Sequence, residues 1–242
     1  MKVLGIIPAR YQSSRFPGKP LIDLKGKTMI QRVYEGVKKC PAITDVVVAT
    51  DDQRIVNHVI DFGGEVMMTR SEHPSGTDRC GEVCQTWNDY DVVINIQGDE
   101  PLVDPNQLLQ LLTAFQSENT QIATLGIPGS KEDVENPNRI KIVLDHQNNA
   151  LYFSRSVIPN YFHFKEDPFQ FYPYLRHIGL YAFRMETLQE LVNLKATKLE
   201  QTESLEQLRW LYYGYKIKVI ETQIETPNID TPADVEQVLK LL

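Results

Sequence analysis

A chain of 242 residues, 42% hydrophobic and 24% charged, is long enough to bury a full core and has the composition of an ordinary globular protein. No apolar run approaches 18 residues, so no membrane span is expected, and the net charge of −7 does not indicate a nucleic-acid partner. Three cysteines favour a reducing cytoplasm over a disulfide framework, and the N-terminus shows no signal-peptide pattern.

The first predicted strand, residues 2–7, is separated from the first predicted helix by a long basic loop. The helix is predicted to start at Thr28, which forms a capping-box pattern with Gln31. The intervening loop contains five Lys or Arg residues and a single acid, Asp23. Because such connections are usually only a few residues long, a long basic one indicates a function.

Three cations of this loop suit a bound polyanion such as a triphosphate, namely Arg10, Arg15 and Lys19. In open α/β sheets, ligands bind beyond the carboxyl ends of the strands, which is where this loop is expected. Residues 1–40 carry nine basic and two acidic residues, so the remaining 202 residues have a net charge of −14. The basic end therefore reads as an anion site, with a solvated basic loop as the alternative.

Strands and helices are predicted to alternate through the first 120 residues. Predicted strands at residues 45–50, 65–69 and 91–96 are each followed by a predicted helix, and the last of these helices starts at Asp104-Pro105. This order is typical of a mostly parallel sheet flanked by helices.

Two connections in this half carry further candidate residues. The loop 70–79 brings small hydroxyl residues and a glycine to a helix start, where backbone N–H groups suit a base or a sugar hydroxyl, although an ordinary capped helix explains it equally well. After the strand at 91–96, Gly98 permits an unusual turn, and Asp99 and Glu100 project at the ligand edge, where a carboxylate can hold Mg²⁺. The alternative for Asp99 is an acidic turn residue.

The second half of the chain has a different pattern. Residues 121–127, 176–184 and 215–220 are predicted strands, 139–145 and 149–154 a hairpin, 128–137 a polar loop, and 204–213 a capped helix. His177 and Tyr181 share one face of their strand, and a structural role for His177 is the alternative to a binding role. Before the last helix, Thr231 is predicted as the N-cap, which leaves Asp230 available as a second metal ligand.

Residues 152–174 contain nine Tyr or Phe and three Pro. That density is too high for a solvated loop and indicates an interface or a lid, and we expect much of it to be buried against a second subunit. The fold class predicted for the chain is therefore α/β, a single domain (1–242) with a mostly parallel, mixed sheet and a β-hairpin and aromatic extension.

Several motifs together resemble the sugar-acid cytidylyltransferases, over the whole length of the chain. The first loop, Ile7-Pro8-Ala9-Arg10 with Ser14-Arg15-Phe16-Pro17-Gly18-Lys19-Pro20-Leu21, resembles the family's nucleotide-binding loop, with Phe16 where Leu is commoner. The other matching motifs are His73-Pro74-Ser75-Gly76-Thr77-Asp78-Arg79, Asn95-Ile96-Gln97-Gly98-Asp99-Glu100-Pro101, His177-Ile178-Gly179-Leu180-Tyr181, Leu205-Glu206-Gln207-Leu208-Arg209 and Ile229-Asp230-Thr231-Pro232.

The resemblance implies a nucleotide-diphospho-sugar transferase-like fold and the transfer of CMP from CTP to 3-deoxy-manno-octulosonate (KDO). Pyrophosphate is the second product, and the activated sugar supplies lipopolysaccharide in Gram-negative bacteria. The resemblance also implies a Mg²⁺-dependent cytoplasmic homodimer, with a CTP-binding half at 1–120 and a sugar-binding and dimerisation half at 121–242. N-acylneuraminate is the alternative acid, but His177 and Leu205-Glu206-Gln207 favour KDO.

By matched motif, the resemblance also implies the role of each residue. The catalytic residues would be Lys19, Asp99, Asp230 and Arg15, with Asp99 and Asp230 holding the metal. CTP would contact Ala9, Arg10, Lys19, Ser75, Gly76, Thr77, Asp78, Arg79 and Gln97. The sugar acid would contact Arg155, His177, Tyr181, Glu206 and Gln207. A non-catalytic nucleotide-binding protein is a further alternative, against which the presence of both Asp99 and Asp230 argues.

Overall fold

The computed structural model describes residues 1–12 and 16–242. The described residues form two compact units. Unit 1 comprises residues 1–109, 183–192 and 225–242, and unit 2 comprises 110–182 and 193–224. The predicted halves 1–120 and 121–242 are a division by function, and they stay a prediction.

The helices and strands of the chain have the following bounds. Up to residue 116 they are β1 (Val3–Ala9), a 3-10 helix (Lys19–Leu21), β2 (Asp23–Leu24), β3 (Lys27–Thr28), α1 (Met29–Lys38), β4 (Asp45–Thr50), α2 (Gln53–Asp61), β5 (Val66–Met68), α3 (Gly76–Thr86), β6 (Val92–Asn95), α4 (Pro105–Leu112) and a 3-10 helix (Thr113–Gln116). From there they are β7 (Ile122–Pro128), α5 (Lys131–Glu135), β8 (Lys141–Leu144), β9 (Ala150–Ser154), α6 (Pro168–Phe171), β10 (Leu175–Arg184), α7 (Met185–Leu191), α8 (Lys198–Glu203), α9 (Gln207–Tyr212), β11 (Ile217–Glu221) and α10 (Pro232–Leu241).

Unit 1 is built on parallel strands in the order β5, β4, β1, β6. The side chains of β1, β4 and β6 are mostly apolar and buried, whereas those of β5 at the edge are partly exposed; Leu4, Ile6 and Val47, for example, are inaccessible to solvent. Burying one such side chain stabilises the fold by roughly 1.5–3 kcal/mol. Because both faces of this sheet are covered, its strands read as continuous apolar runs, which is why they were predictable.

Unit 2 contains both parallel and antiparallel pairs. β11 pairs with β7 in parallel, whereas β8 pairs antiparallel with β10 and with β9. The β8–β9 pair is the predicted hairpin, and its turn includes Asn148 with a φ of 58°. The prediction of a mostly parallel, mixed sheet flanked by helices is confirmed.

Two local predictions in unit 2 are wrong. The segment predicted as a polar loop contains α5, which begins at a capping box formed by Ser130 and Asp133. Ser204 does not begin the helix that follows it. It ends α8 in a left-handed conformation with a φ of 53°, and α9 begins only at Gln207.

Candidate functional site

The loops that follow the parallel strands of unit 1 emerge at one edge of its sheet. β1 pairs with β4 on one side and with β6 on the other, so their carboxyl ends coincide. The loop after β6 approaches β1 closely, because a Cβ atom at Gly98 would lie 2.8 Å from the carbonyl oxygen of Pro8. Glycine is therefore required here, and the turn places Asp99 beside the end of β1.

Lys19 contacts both predicted metal ligands, Asp99 and Asp230, which lie in unit 1. Its Nζ donates to Oδ2 of Asp99 at 2.8 Å and to the carbonyl oxygen of Ile229 at 2.8 Å, and it lies 4.0 Å from Oδ1 of Asp230. The side chains of Lys19, Asp99 and Asp230 are 13, 26 and 36% exposed. The ammonium group thus offsets the repulsion between two partly desolvated carboxylates.

The prediction that Asp230 is not the helix cap agrees with the contacts at the start of α10. Thr231 is the N-cap, and the carboxylate of Asp234 accepts from the backbone N–H groups of Thr231 at 2.7 Å and Asp230 at 3.0 Å. The carboxylate of Asp230 accepts from the amide of Asn228 at 2.9 Å. Asp234 takes part in capping the helix and Asp230 does not, so the Asp230 carboxylate can point towards Lys19.

The donor set at this edge fits a magnesium ion that also binds substrate phosphates. Among residues 1–12 and 16–242, no cluster of three or more His, Cys, Asp or Glu is arranged to hold a metal. Mg²⁺ commonly takes only one or two carboxylates from the protein and completes its shell with phosphates and water. Asp99 and Asp230 provide this partial set, and their role as metal ligands stays a prediction.

Glu100 shares the turn with Asp99 but has a different environment. Burial raises the pKa of its carboxyl to about 7, and Oε2 accepts a hydrogen bond from the hydroxyl of Thr226 at 2.9 Å. Sequence reasoning placed Glu100 at the edge but could not find this desolvation, since Thr226 lies 126 residues further along the chain.

The first basic loop is attached to two neighbouring segments of unit 1. A guanidinium nitrogen of Arg10 donates to the carbonyl oxygen of His73, and so links this loop to the loop 70–79. The guanidinium carbon of Arg54, in α2, lies 3.3 Å from the ring centroid of Tyr11 in a cation–π contact. The backbone of Gly18 donates to Tyr11 at 2.8 Å, which closes the loop just before Lys19. The candidate Arg15 lies outside the described residues.

The predicted nucleotide-binding residues of the loop 70–79 divide into two kinds. Ser75 is the N-cap of α3: its hydroxyl accepts from the backbone of Asp78 at 3.1 Å and donates to the carboxylate of Asp78 at 2.7 Å. The start of α3 is therefore an ordinary capped helix, and Gly76 lies against Pro8 and Asn95, at the carboxyl ends of β1 and β6. Arg79 is fully buried and donates to Asp51 at 3.0 Å and to Thr69, so its guanidinium supports the fold.

In unit 2, the predicted sugar-acid residues of β10, His177 and Tyr181, form an aromatic cluster with Trp210 of α9. Nε2 of His177 lies 2.9 Å from the hydroxyl of Thr124, and the rings of His177 and Tyr181 are 5.2 Å apart. Tyr181 meets Trp210 of α9 edge-on at 5.0 Å. Burial raises the pKa of Tyr181 well above its usual value, and the charge of Glu206 raises it further. Tyr181 is therefore a neutral phenol.

Arg155 contacts backbone oxygens of unit 2. Its Nε donates to the carbonyl oxygen of Glu203 at 2.8 Å, and Nη2 donates to that of Ser204 at 3.4 Å. These contacts hold the segment between α8 and α9, which leads to Gln207, a buried residue. Glu203 was missed by sequence reasoning because no motif connects it with Arg155.

The ionisation of His177 leads to a testable pH dependence of stability. Burial lowers its pKa to about 3, whereas an unfolded histidine titrates near pH 6.5. Between these values the unfolded chain binds a proton that the native protein does not, so native stability falls as the pH falls through this window. His177→Gln should lose less free energy of unfolding between about pH 7 and about pH 4.5 than the wild type, by up to ~1 kcal/mol per pH unit.

Urea titrations at several pH values measure this difference. His146→Gln, at an exposed histidine of the same unit outside the aromatic segment, is the matched control and should follow the wild type. Parallel losses in wild type and His177→Gln would show that the ring of His177 is solvated.

The comparisons with known proteins decide the family. The sequence profile described as Cytidylyltransferase matches residues 4–218, which is most of the chain. The chain belongs to the cytidylyltransferase family. The family resemblance of the sequence motifs is thereby confirmed.

Curated relatives of this cytidylyltransferase match it over essentially its full length. A 3-deoxy-manno-octulosonate cytidylyltransferase of Parabacteroides distasonis is 54% identical, and one of Bacteroides thetaiotaomicron is 52% identical; each alignment covers 100% of this chain and 98% of the relative. A solved structure of CMP:2-keto-3-deoxy-manno-octonic acid synthetase complexed with CTP is 42% identical and superposes with a TM-score of 0.92, covering 100% of this chain and 98% of the other.

A more distant structure shows that the fold extends beyond these relatives. 4-Diphosphocytidyl-2C-methyl-D-erythritol synthase of Anaerococcus prevotii is 13% identical with a TM-score of 0.65, over 99% of this chain and 97% of the other. The predicted transferase fold is thus confirmed. In the described part of this cytidylyltransferase, no helix has both the length and the apolar character needed to cross a membrane.

Proposed function

We propose that this chain transfers the CMP group of CTP to KDO and releases pyrophosphate. The observation that carries the proposal is that Lys19, Asp99 and Asp230 meet at the ligand edge of a chain that aligns end to end with KDO cytidylyltransferases. The CMP-KDO formed in this way would serve lipopolysaccharide synthesis.

The chemistry is an in-line substitution at the α-phosphorus of CTP. The anomeric hydroxyl oxygen of the sugar forms the new P–O bond and loses its proton, while the bond to the bridging oxygen of pyrophosphate breaks. Such a step needs positioning and charge neutralisation more than covalent catalysis. Arg10 and Lys19 are the cations that we assign to the phosphates, and Arg15 keeps its predicted role beside them.

Asp99 and Asp230 are the residues that would hold Mg²⁺. The ion would supply positive charge to the phosphate oxygens and to the attacking oxygen. Lys19, which already lies between these carboxylates, keeps them close together and so preorganises the metal site. The predictions for Asp99 and Asp230 rest on this arrangement and on the chemistry of carboxylate donors.

Nucleotide and sugar recognition are assigned to different units. We assign cytosine and ribose to the start of α3, from Ser75 to Asp78, together with Gln97 and Ala9. Arg79 would act there by supporting the fold, as its burial indicates. In unit 2, His177, Tyr181, Glu206 and Gln207 offer neutral and acidic hydrogen-bonding groups to the hydroxyls of a sugar acid.

Pyrophosphate release in the presence of CTP and Mg²⁺ tests the function directly. KDO should support turnover and N-acetylneuraminate should not. Turnover with N-acetylneuraminate alone would reassign the acid substrate, and CTP binding without turnover on either acid would indicate the non-catalytic alternative.

We also propose that the chain works as a homodimer, in the cytoplasm. The support for the dimer is the aromatic segment of unit 2, where Phe162 is 82% exposed and Phe171 is 68% exposed. A pocket of about 130 Å³ is lined by Phe171 and by further aromatic side chains such as Tyr161, Phe164 and Tyr172. Exposed apolar surface of this kind commonly marks a protein interface.

Charged substitutions on this segment should disrupt the dimer. Phe162→Glu combined with Phe171→Glu introduces two charges where we expect the second subunit, so sedimentation velocity at micromolar concentration should shift from dimer to monomer. Tyr212→Glu, at another exposed aromatic residue of unit 2, is the control and should remain dimeric. A monomeric wild type, or a double variant that stays dimeric, would contradict the placement.

A further inference from the structure

The corner between α8 and α9, residues 203–206, contains the predicted sugar-acid residue Glu206 and leads directly into Gln207. Ser204 occupies this corner in a left-handed conformation, with φ 53° and ψ 49°. A non-glycine residue adopts this conformation only at some energetic cost, so surrounding contacts must hold it. The contacts come from the end of β9.

Glu203 and Arg155 hold the corner reciprocally. The carboxylate of Glu203 accepts from the hydroxyl of Ser154 at 2.7 Å and from the backbone N–H of Arg155 at 3.0 Å. In return, the guanidinium of Arg155 donates to the backbone oxygens of Glu203 at 2.8 Å and Ser204 at 3.4 Å. The side chain of each residue thus binds the backbone of the other, and these bonds set the position of the corner relative to β9.

Lys141 holds the backbone at Arg155 in place. Its side chain is 1% exposed, and Nζ donates to the carbonyl oxygens of Arg155 at 2.6 Å, Arg139 at 2.7 Å and Asn136 at 3.0 Å. An ammonium group has three N–H donors, so these bonds use all of them. Lys141 therefore has no donor left for a substrate, and its burial is explained by the backbone that it organises.

An ion pair between Arg209 and Glu200 ties α8 to α9. Arg209 of α9 donates through Nε to Oε2 of Glu200 at 2.7 Å, and Glu200 also caps the start of α8. Trp210, the residue after Arg209, packs edge-on against Tyr181. A displacement of the corner would consequently move α9 against the aromatic cluster.

We propose that Lys141, Arg155 and Glu203 are positioning residues that fix the corner 203–206 and thereby set the affinity for the sugar acid. The inference rests on the proposed function and deepens it. It assigns Arg155 a different role from the direct substrate contact implied by the family resemblance, because its guanidinium is bonded to the corner. Small displacements of substrate-positioning groups can reduce catalytic efficiency by about a hundredfold.

Glu203→Ala tests the positioning role, because it removes no group assigned to a substrate. It should raise KM for KDO by about tenfold while KM for CTP stays unchanged. Glu203→Gln should have the wild-type KM for KDO, since its amide oxygen can accept from the backbone N–H of Arg155 and its amide nitrogen can donate to the hydroxyl of Ser154. Gln201→Ala, at an exposed position of the same helix, is the matched control.

Ser154→Ala removes a single bond to Glu203 and covers the case in which Glu203→Ala does not fold. It should raise KM for KDO about threefold, again without affecting KM for CTP. A wild-type KM for KDO in both variants would overturn the inference. A raised KM for KDO in Arg155→Ala alone would also overturn it, because that result would indicate direct contact between Arg155 and the sugar acid.

Amide hydrogen exchange in the free protein separates this inference from the proposed function. Exchange at residues 203–208 should become faster in Glu203→Ala and should stay at the wild-type rate in Glu203→Gln. Unchanged exchange in Glu203→Ala would overturn the positioning role whatever the substrate. If the wild-type protein releases no pyrophosphate with KDO, the proposed function is wrong. The exchange rates would then still test whether Glu203 fixes the corner.

Discussion

Asp99→Asn and Asp230→Asn are each expected to lower kcat for pyrophosphate release by about a hundredfold or more, equivalent to ~3 kcal/mol of transition-state stabilisation. Asparagine has nearly the same shape as aspartate but carries no charge. Each substitution therefore keeps the packing at the end of β6 or before α10 and removes one of the two carboxylates proposed to hold Mg²⁺. The variants therefore lose a negative charge at the proposed Mg²⁺ site.

CTP binding should suffer less than turnover in these variants. Arg10, Lys19 and the start of α3 remain to hold the nucleotide, so we expect kcat to fall more than the affinity for CTP. Calorimetric titration with CTP and steady-state pyrophosphate release measure the two quantities. Asp61→Asn, at an exposed aspartate at the end of α2, is the matched control and should behave as wild type.

An Asp230→Asn variant with wild-type kcat would remove Asp230 from the metal site. The function itself would survive that result, because it rests on the whole-chain comparison with KDO cytidylyltransferases. Equal losses of CTP affinity and kcat would point instead to a purely structural role for the carboxylate.

The features that the sequence predicted well depend on local patterns. β4 was predicted with its observed bounds because a strand buried on both faces is a continuous apolar run. The start of α10 was predicted because Thr231, Pro232 and Asp234 form a local capping pattern. The meeting of Lys19 with Asp99 follows from strand order, since loops after adjacent parallel strands share an edge.

The features that the sequence did not reveal depend on distant contacts. Ser204 lies three residues before Gln207, a spacing typical of a helix start, but the bonds from Arg155 instead make it the end of α8. The sequence patterns do not predict α7 and α8, which lie within residues 185–203. Arg79 belongs to a nucleotide-binding motif, and only the position of Asp51, 28 residues away, shows that its guanidinium is buried. Local spacing carries no information about such partners.

Lys19→Met should lower kcat/KM for CTP by about a hundredfold and should also destabilise the metal-free protein by ~2 kcal/mol. A loop cation considered from sequence alone is expected to be exposed and to contribute little to stability. The structure gives the opposite expectation, because the Lys19 side chain is only 13% exposed and bonds to Asp99 and to the carbonyl oxygen of Ile229. Methionine keeps the length of the side chain and removes the charge and the donors.

Mg²⁺ should restore much of the lost stability in Lys19→Met. Without the ammonium group, Asp99 and Asp230 repel each other, and a cation that binds both in the native state shifts the unfolding equilibrium towards the folded protein. Thermal unfolding with and without Mg²⁺ should therefore show a larger stabilisation in Lys19→Met than in the wild type. Lys25→Met, at an exposed lysine between β2 and β3, is the control and should respond as the wild type does. If Lys19→Met melts like the wild type and gains nothing extra from Mg²⁺, Lys19 does not hold the two carboxylates together in solution, and the preorganised metal site is wrong.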